Sequence, residues 1–444
     1  VTIQPTQPTA EPETATPVAA AAAPPVRAAV TPTNRLVPRP NEGIWPGLAT
    51  PPHSPARARI AEVLFRRAVR TLNVQVVFPG GERIGAGGPD SPVMRIVRPQ
   101  AFFHRLGANS KIGFGEAYMV GDWTSTRPAD LLTPFAATLS TLIPPALQRL
   151  GRRYVEARQP TEEINTVEGS RENIHRHYDL SNELFATFLD ETMSYSAAWF
   201  ADGSDDLADA QRRKIDGILD MAHVRAGQHI LEIGTGWGGL AIRAAQRGAR
   251  VTTLTISAEQ AKLAEQRLAA AGVADRVQVL LRDYREAQGS YDAVVSVEMV
   301  EAVGAQYWPT YFAALDRLLK PGGRVGLQAI TMPHDRMMAA RGDYTWIHKY
   351  VFPGGLIPSV EAIERNLADH TTLHVAERRS LGYDYARTLA HWRRNFQSRW
   401  ETVARLGFDE TFRRLWDFYL AYCEAGFRVG YLDVFQFSLQ RRPY

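Results

Sequence analysis

The stretch "HILEIGTGWGGLAIRAAQRG", residues 229 to 248, constrains this chain more than any other. An apolar strand-like run meets a glycine-rich turn, and an amphipathic helix follows as far as Gly248. From residue 171 onward such runs alternate with amphipathic helices, which predicts a parallel sheet covered on both faces. Gly234, Gly236 and Gly239 satisfy G-x-G-x-x-G, a turn whose bare backbone lets a nucleotide approach closely.

Which nucleotide follows from the flanking residues. A dinucleotide site asks for a helix N-terminus aimed at pyrophosphate and an acid at the end of the second strand to hold the ribose. Here that strand, "ARVTTLTIS", ends in Thr255 and Ser257, with no acid before Glu259. An S-adenosylmethionine site instead has an acid just before the glycines and an acidic or polar residue after the third strand, beside adenine. Glu232 holds the first place, and "VQVLLRDYRE" supplies Asp283 and Tyr284 at the second. Further strands in "YDAVVSVEMVEAVG" and "LLKPGGRVGLQAIT" come in the order such methyltransferases use. The adenosylmethionine reading is therefore preferred, with a dinucleotide left as the alternative.

With 444 residues, 45% of them hydrophobic, the chain can bury one large or two ordinary cores. Its single cysteine, Cys423, excludes an intrachain disulfide framework or a multi-cysteine zinc site and fits a reducing cytoplasm. No run approaches a membrane span, and no basic-then-apolar leader pattern is present, so neither spanning nor secretion is expected. The net charge of +4 is modest and leaves room for a local basic face toward an anionic partner. Residues 1–54, rich in Pro, Ala and Thr, read as a disordered tail. In "SPARARIAEVLFRRAVRTL", Ser54 can cap and Pro55 suits the first helical position. Ile60, Val63, Leu64 and Val69 form one face, opposite Arg59, Arg66 and Arg70. That helix reads as a solvated surface helix or as a contact with an anionic bilayer. A Gly-Gly turn in "NVQVVFPGGERIGAG" and the helices beyond it predict a smaller α+β N-terminal domain over 55–160, ahead of a catalytic domain over 161–444. His175 and His177 lack a third ligand at suitable spacing, so no metal is expected.

The stretches "HYDLSNELFATFLDETMSYSAAWF", "LEIGTGWGG", "LTISAEQ", "MVEAVG", "YVFPGGLIPS", "DYARTLAHW" and "CEAGFRVGYLDVFQ" together resemble the cyclopropane fatty acid synthase family, which includes mycolic acid and phospholipid methyltransferases. "GFGEAYMVGDW" resembles the N-terminal domain of the bacterial phospholipid synthases. The resemblance implies an α/β fold of the class I SAM-dependent methyltransferase type, Rossmann-like with a seven-stranded sheet and acyl-binding insertions. It also implies transfer of a methyl or methylene unit to an acyl-chain double bond. It places Tyr195, Ser196, Glu232, Gly234, Gly236, Gly238, Thr255 and Gln260 at the cofactor, with Asp283 and Tyr284 beside adenine. It further implies a bicarbonate ion near the reacting methyl, caged at Ala197, Glu301, Gln328, Tyr385 and Cys423. Two of these depart from the familiar pattern: Ala197 stands where cysteine is common and Gln328 where histidine is common. Ala197 keeps only a backbone contact, and the Gln328 amide can donate a hydrogen bond but cannot carry a proton. Glu301 and Tyr385 are expected to orient the ion. Cys423 is expected to wall the cage through its backbone N–H, without acting as a nucleophile. Glu298, three residues before Glu301, is expected to face elsewhere.

An isolated alkene is a poor nucleophile, so the site must align it with the methyl donor and exclude water. Aromatic faces can then stabilise the resulting carbocation. Candidate walls are "ELFATFLDETMSYSAAWF", "DYTWIHKYVFPGG" and "LWDFYLAYCEAGF", each of which also reads as core. Loss of a proton from the new methyl closes a cyclopropane, whereas a hydride shift first gives an exocyclic methylene; bicarbonate is the expected base. The implied substrate is an unsaturated acyl chain of membrane phospholipid, met by a cytoplasmic protein peripheral to the inner face of the cell membrane, with no nucleic acid partner. The Ala197 and Gln328 variants, "EAVG" and "GLQAIT" resemble the actinobacterial tuberculostearic acid methyltransferases, so a 10-methylene product is preferred to cyclopropane. That product implies a separate reductase, and a homo-oligomer is left open. A small-molecule N-methyltransferase and a lipid-binding protein without turnover are the rival readings.

Overall fold

The computed structural model describes residues 39–142 and 181–442. The expected tail up to residue 38, the polar linker, and His175 and His177 lie outside the described residues. In the N-terminal part, strands β1 (Gln75–Val77), β2 (Arg83–Ile84), β3 (Val93–Ile96) and β4 (Trp123–Thr124) pair in the order β2-β1-β3-β4. Gly80 and Gly81, at φ +88° and +93°, make the turn between antiparallel β1 and β2 in a left-handed conformation that other residues resist. Helices α1 (Pro55–Val69), α2 (Pro99–Ala108), α3 (Ser110–Met119) and α4 (Pro128–Leu142) accompany the sheet. Asn109 separates α2 from α3 and caps the latter, its side chain accepting from the N–H groups of Lys111 and Ile112.

Three expectations change in this part. Residues 39–54 belong to the folded unit: the Trp45 indole donates to Asp409 at 2.9 Å, and the carbonyl of buried Leu48 accepts from the buried Arg105 guanidinium at 2.6 Å. The Ser54 hydroxyl does not cap α1 but donates to the His104 carbonyl at 3.0 Å. Most consequentially, α1 turns Ala58, Phe65 and Val69 inward, leaving Ile60 61% and Val63 67% exposed. The reason is aromatic packing. Phe65 meets Phe102 and Phe103 edge-on at 5.2 and 5.9 Å, and burying that ring outweighs burying the smaller side chains.

The second part begins with α5 (Asn182–Phe188) and α6 (Leu207–Met221) and continues into β5 (His229–Ile233), α7 (Gly239–Gln246), β6 (Arg250–Thr255), α8 (Ala258–Ala270), β7 (Val277–Leu281) and β8 (Tyr291–Val297). After α9 (Trp308–Leu318) come β9 (Leu319–Thr331), α10 (His334–Ala340), α11 (Trp346–Tyr350) and α12 (Val360–His370). The chain closes with β10 (Leu373–Ser380), α13 (Gly382–Ser398), α14 (Trp400–Arg405), α15 (Glu410–Arg428) and β11 (Asp433–Arg441). The strands form the seven-stranded sheet β10-β11-β9-β8-β5-β6-β7. Strands β5 to β9 run parallel, and β11 lies antiparallel to both neighbours. The chain moves outward from β5 to β7 and returns to β8 on the other side. Connections therefore diverge at the C-terminal ends of β5 and β8, which leaves a crevice there.

The N-terminal elements are built onto this unit and share its core. Side chains from Leu48 through Trp123 to Trp416 and Val434 make one continuous apolar cluster. A Cβ on Gly115 of α3 would lie 2.5 Å from the Trp346 ring, so only glycine admits that indole. The Tyr118 hydroxyl donates to the Asp417 carboxylate at 2.6 Å in a buried site, and Arg414 donates to the Tyr118 carbonyl at 2.6 Å. Tyr118→Phe strips a donor from a buried carboxylate, and is expected to cost about 1.5–3 kcal/mol. A urea unfolding curve with a lowered midpoint and unchanged slope checks this; an unmoved midpoint contradicts it.

Candidate active site

The crevice deepens into a cavity at the C-terminal ends of β5, β6 and β8. Tyr195, Ser196, Glu232, Gly234, Gly236, Thr255, Gln260, Asp283 and Tyr284 all line it. Gly234 and Gly236 sit at φ +98° and +51°, and a Cβ on Gly236 would meet nothing within 4 Å, so its backbone borders open space. Gly238 plays another part. It caps α7 at φ +85° and packs against Ala264 of α8, below the lining. Thr255 and Gln260 hold each other through a 3.0 Å hydrogen bond. Asp283 accepts from the N–H and the guanidinium of Arg285, and the buried Tyr284 hydroxyl has no hydrogen-bond partner.

A loop carrying Ser194, Tyr195, Ser196 and Ala197 forms the opposite wall. It is pinned by two residues of α6 that the sequence reading missed. Gln211 donates to the Ser196 carbonyl at 2.8 Å, and the Lys214 ammonium donates to the Ser196 hydroxyl at 2.6 Å. Both occupy the buried stripe of α6, and a lysine on an apolar helix face was a readable signal. Burial pushes Lys214 down to about 8, a fall limited by Glu298, Asp190 and Glu232. Burial likewise pushes Glu232 up to about 8, although Thr253 donates to it at 2.6 Å. These groups fit adenosylmethionine: acids on β5 and after β7, a bare glycine turn, and an unpaired buried hydroxyl.

The positions assigned to a bicarbonate cage are brought together only in part. The Ala197 N–H at 2.9 Å, the Gln328 amide at 2.9 Å and the Tyr385 hydroxyl at 3.2 Å all donate to one carboxylate, and it belongs to Glu298. Contrary to expectation, Glu298 faces this site and lines the cofactor cavity. It lies just past β8 at φ +52°, a conformation that costs a non-glycine residue about 1–3 kcal/mol and persists only where the surroundings enforce it. Gln436 donates to the Gln328 carbonyl oxygen at 3.0 Å, which fixes the amide so that its NH₂ points at Glu298. Separate bicarbonate does not fit this arrangement. Its donors end on a carboxylate of the chain, and a second anion there would meet the like charge of Glu298.

Glu301 stands apart from the cluster. One oxygen accepts from the Ile330 N–H at 2.5 Å, the other is buried without a partner, and burial followed by the charge of Glu298 pushes it up to about 8. Glu298 is also raised by burial, but Ala197, Gln328, Lys214 and Tyr385 all favour its ionised form. Of the two, Glu298 has the donors that favour a carboxylate, whereas Glu301, with one oxygen unpartnered, favours the acid.

Aromatic rings pack around Tyr385 and Tyr195. Tyr385 packs against Phe427 at 4.6 Å and Trp392 at 5.9 Å, and the Tyr195 hydroxyl bonds that of Tyr419 at 2.8 Å. Of the other candidate walls, Trp346 packs edge-on against Phe418 at 4.8 Å, within the core shared with α3.

This sheet order, glycine turn and cavity define a class I SAM-dependent methyltransferase. Residues 166–437 match the family described as mycolic acid cyclopropane synthetase, and the chain belongs to that family. It is 50% identical over 407 residues to tuberculostearic acid methyltransferase UfaA1 of Mycobacterium tuberculosis, covering 89% of this chain and 95% of that one. It is 33% identical over 389 residues to cyclopropane-fatty-acyl-phospholipid synthase of Escherichia coli, covering 86% and 93%. The solved structure of mycolic acid cyclopropane synthase CmaA1 with SAH and CTAB aligns with a TM-score of 0.56 at 30% identity, over 64% of this chain and 99% of that one.

Cys423 lies inside α15, where its backbone N–H is committed to the helix ladder and cannot meet an anion as expected. Its half-buried thiol is pushed up to about 12 by burial and is no nucleophile at neutral pH. Cys423→Ser is expected to keep turnover within about threefold of the parent, as for a residue outside the chemistry. Steady-state rates check this, and a loss of about a hundredfold would restore the thiol to the mechanism.

Proposed function

We propose that the protein transfers a methyl group from S-adenosylmethionine to the double bond of an unsaturated acyl chain in membrane phospholipid, giving a 10-methylene chain. The observation that carries this reading is the half-buried carboxylate of Glu298, which lines the cofactor cavity and accepts from Tyr385, whose ring packs on Trp392 and Phe427. Such a place suits a hydrocarbon cation that must lose a proton without meeting water. The cofactor supplies an electrophilic methyl; the chain's own residues align the alkene, exclude water and take up the proton. The names of the two relatives support an acyl substrate, and the higher identity to the tuberculostearic acid methyltransferase favours methylene over cyclopropane. A methylene product calls for a separate reductase to become a methyl branch. Bicarbonate, implied by the resemblance, takes no step in this reading, because its donors are taken by Glu298.

Incubation with labelled adenosylmethionine and oleoyl phospholipid vesicles is expected to place label in the lipid. The product should hydrogenate readily to a methyl branch, as an exocyclic methylene does and a cyclopropane does not. No label in any acyl lipid would sink the reading; label in a ring would leave the cyclopropane alternative.

Contact with the bilayer is assigned to α1, on the cytoplasmic side. No helix among the described residues is long and apolar enough to cross a membrane. Exposed Ile60, Val63 and Leu64 share the α1 surface with exposed Arg59, Arg67 and Arg70, the composition of an interfacial helix on an anionic surface. A paired Ile60→Glu and Val63→Glu variant is expected to bind anionic vesicles at least about tenfold more weakly, since each apolar side chain buried in lipid is worth about 1.5–3 kcal/mol. Cosedimentation measures this, and unchanged binding would remove α1 from the docking face.

A further inference from the structure

We propose that Glu298 is the general base of the reaction, its carboxylate standing in the place where the family resemblance puts bicarbonate. The inference rests on the methyl-transfer reading above and adds the identity of the proton acceptor.

Three observations converge on this residue. Its oxygens collect the donors of Ala197, Gln328 and Tyr385, three of the five positions expected to hold an external anion. Those donors and the Lys214 cation favour the ionised carboxylate, while burial raises its proton affinity above that of a free glutamate. The residue also borders the cofactor cavity directly and is held there by a backbone at φ +52°. Backbone strain of this kind clusters at active sites. Glu301, unpaired on one oxygen and largely protonated near neutral pH, is unsuited to accept a proton.

The balance is simple. One alkene carbon forms a bond to the incoming methyl, which leaves the neighbouring carbon cationic. Hydride migration from the methylated carbon moves the charge onto it. A C–H bond of the new methyl then breaks: its electron pair closes the exocyclic C=C, and its proton passes to a Glu298 oxygen and afterwards to solvent. No oxidant or further reactant is consumed.

The test uses the full chain with oleoyl phospholipid vesicles. Wild-type turnover is expected to be the same in buffer purged of carbon dioxide and in buffer with added bicarbonate. Glu298→Gln should lower kcat at least about a hundredfold while SAH affinity, measured by calorimetry, stays within about twofold. Glu298→Gly removes the side chain and frees its three donors, so added bicarbonate or formate should restore part of the turnover to that variant and none to Glu298→Gln. A wild-type enzyme that loses turnover without bicarbonate and regains it on addition would overturn the inference, as would wild-type kcat in Glu298→Gln. Failure of small anions to rescue Glu298→Gly would reduce Glu298 to a positioning residue. Absence of methyl transfer by the wild type to any acyl chain would instead sink the reading beneath it.

Discussion

A carboxylate withdrawn from water is costly, by several kcal/mol even after the protein relaxes around it, and has to be surrounded by donors. Around Glu298 those donors come from separate elements: Ala197 from the loop after α5, Gln328 from β9 and Tyr385 from α13, with the Lys214 cation on α6 nearby. Satisfying one side chain therefore fixes the mutual placement of four segments that border the cofactor cavity. Gln436 on β11 extends the constraint, because it sets which end of the Gln328 amide meets Glu298. The antiparallel last strand of the sheet is in this way tied to the chemistry at its centre.

Much of this was legible in the residues. The strand, glycine turn and helix around Gly234 announce the parallel sheet, and Glu232, Asp283 and the strand order distinguish adenosylmethionine from a dinucleotide. Lys214 was legible too, as a charge on the buried stripe of α6, but a lone cation in an apolar face reads first as an irregularity. Glu298 was not. It and Glu301 are three residues apart after one strand, and which of them enters the cavity depends on the backbone at Glu298. Sequence patterns assume φ below zero for such a residue, and at φ +52° the side chain leaves in a different direction. The orientation of α1 was hidden for a different reason. Ile60, Val63 and Leu64 make as good an apolar stripe as Phe65 and Val69, and only the rings of Phe102 and Phe103 decide between them.

The N-terminal elements gain meaning from the same packing. Rings run in contact from Phe65 through Phe102 and Phe114 to Phe418 and Tyr422 on α15, the helix that also carries Tyr419 and Cys423. Interiors packed at this density transmit position faithfully. The exposed face of α1 is therefore held at a set place relative to Tyr195 at the cavity and the Tyr419 hydroxyl bonded to it.

A base carried by the chain differs physically from a base borrowed as an ion. A free anion must be captured, stripped of water and oriented before each turnover, and its occupancy follows its concentration. A side chain fixed beside the reacting carbon avoids those losses, which in oriented intramolecular systems amount to about 7–11 kcal/mol of barrier at most. Against that stands the backbone strain at Glu298, about 1–3 kcal/mol. The exchange is favourable, and it accounts for the departure at Gln328. Imidazole beside bicarbonate can exchange protons with it, whereas a base attached to the chain needs only a neighbour that donates and never competes for the proton. A glutamine amide, pinned by Gln436, meets that requirement.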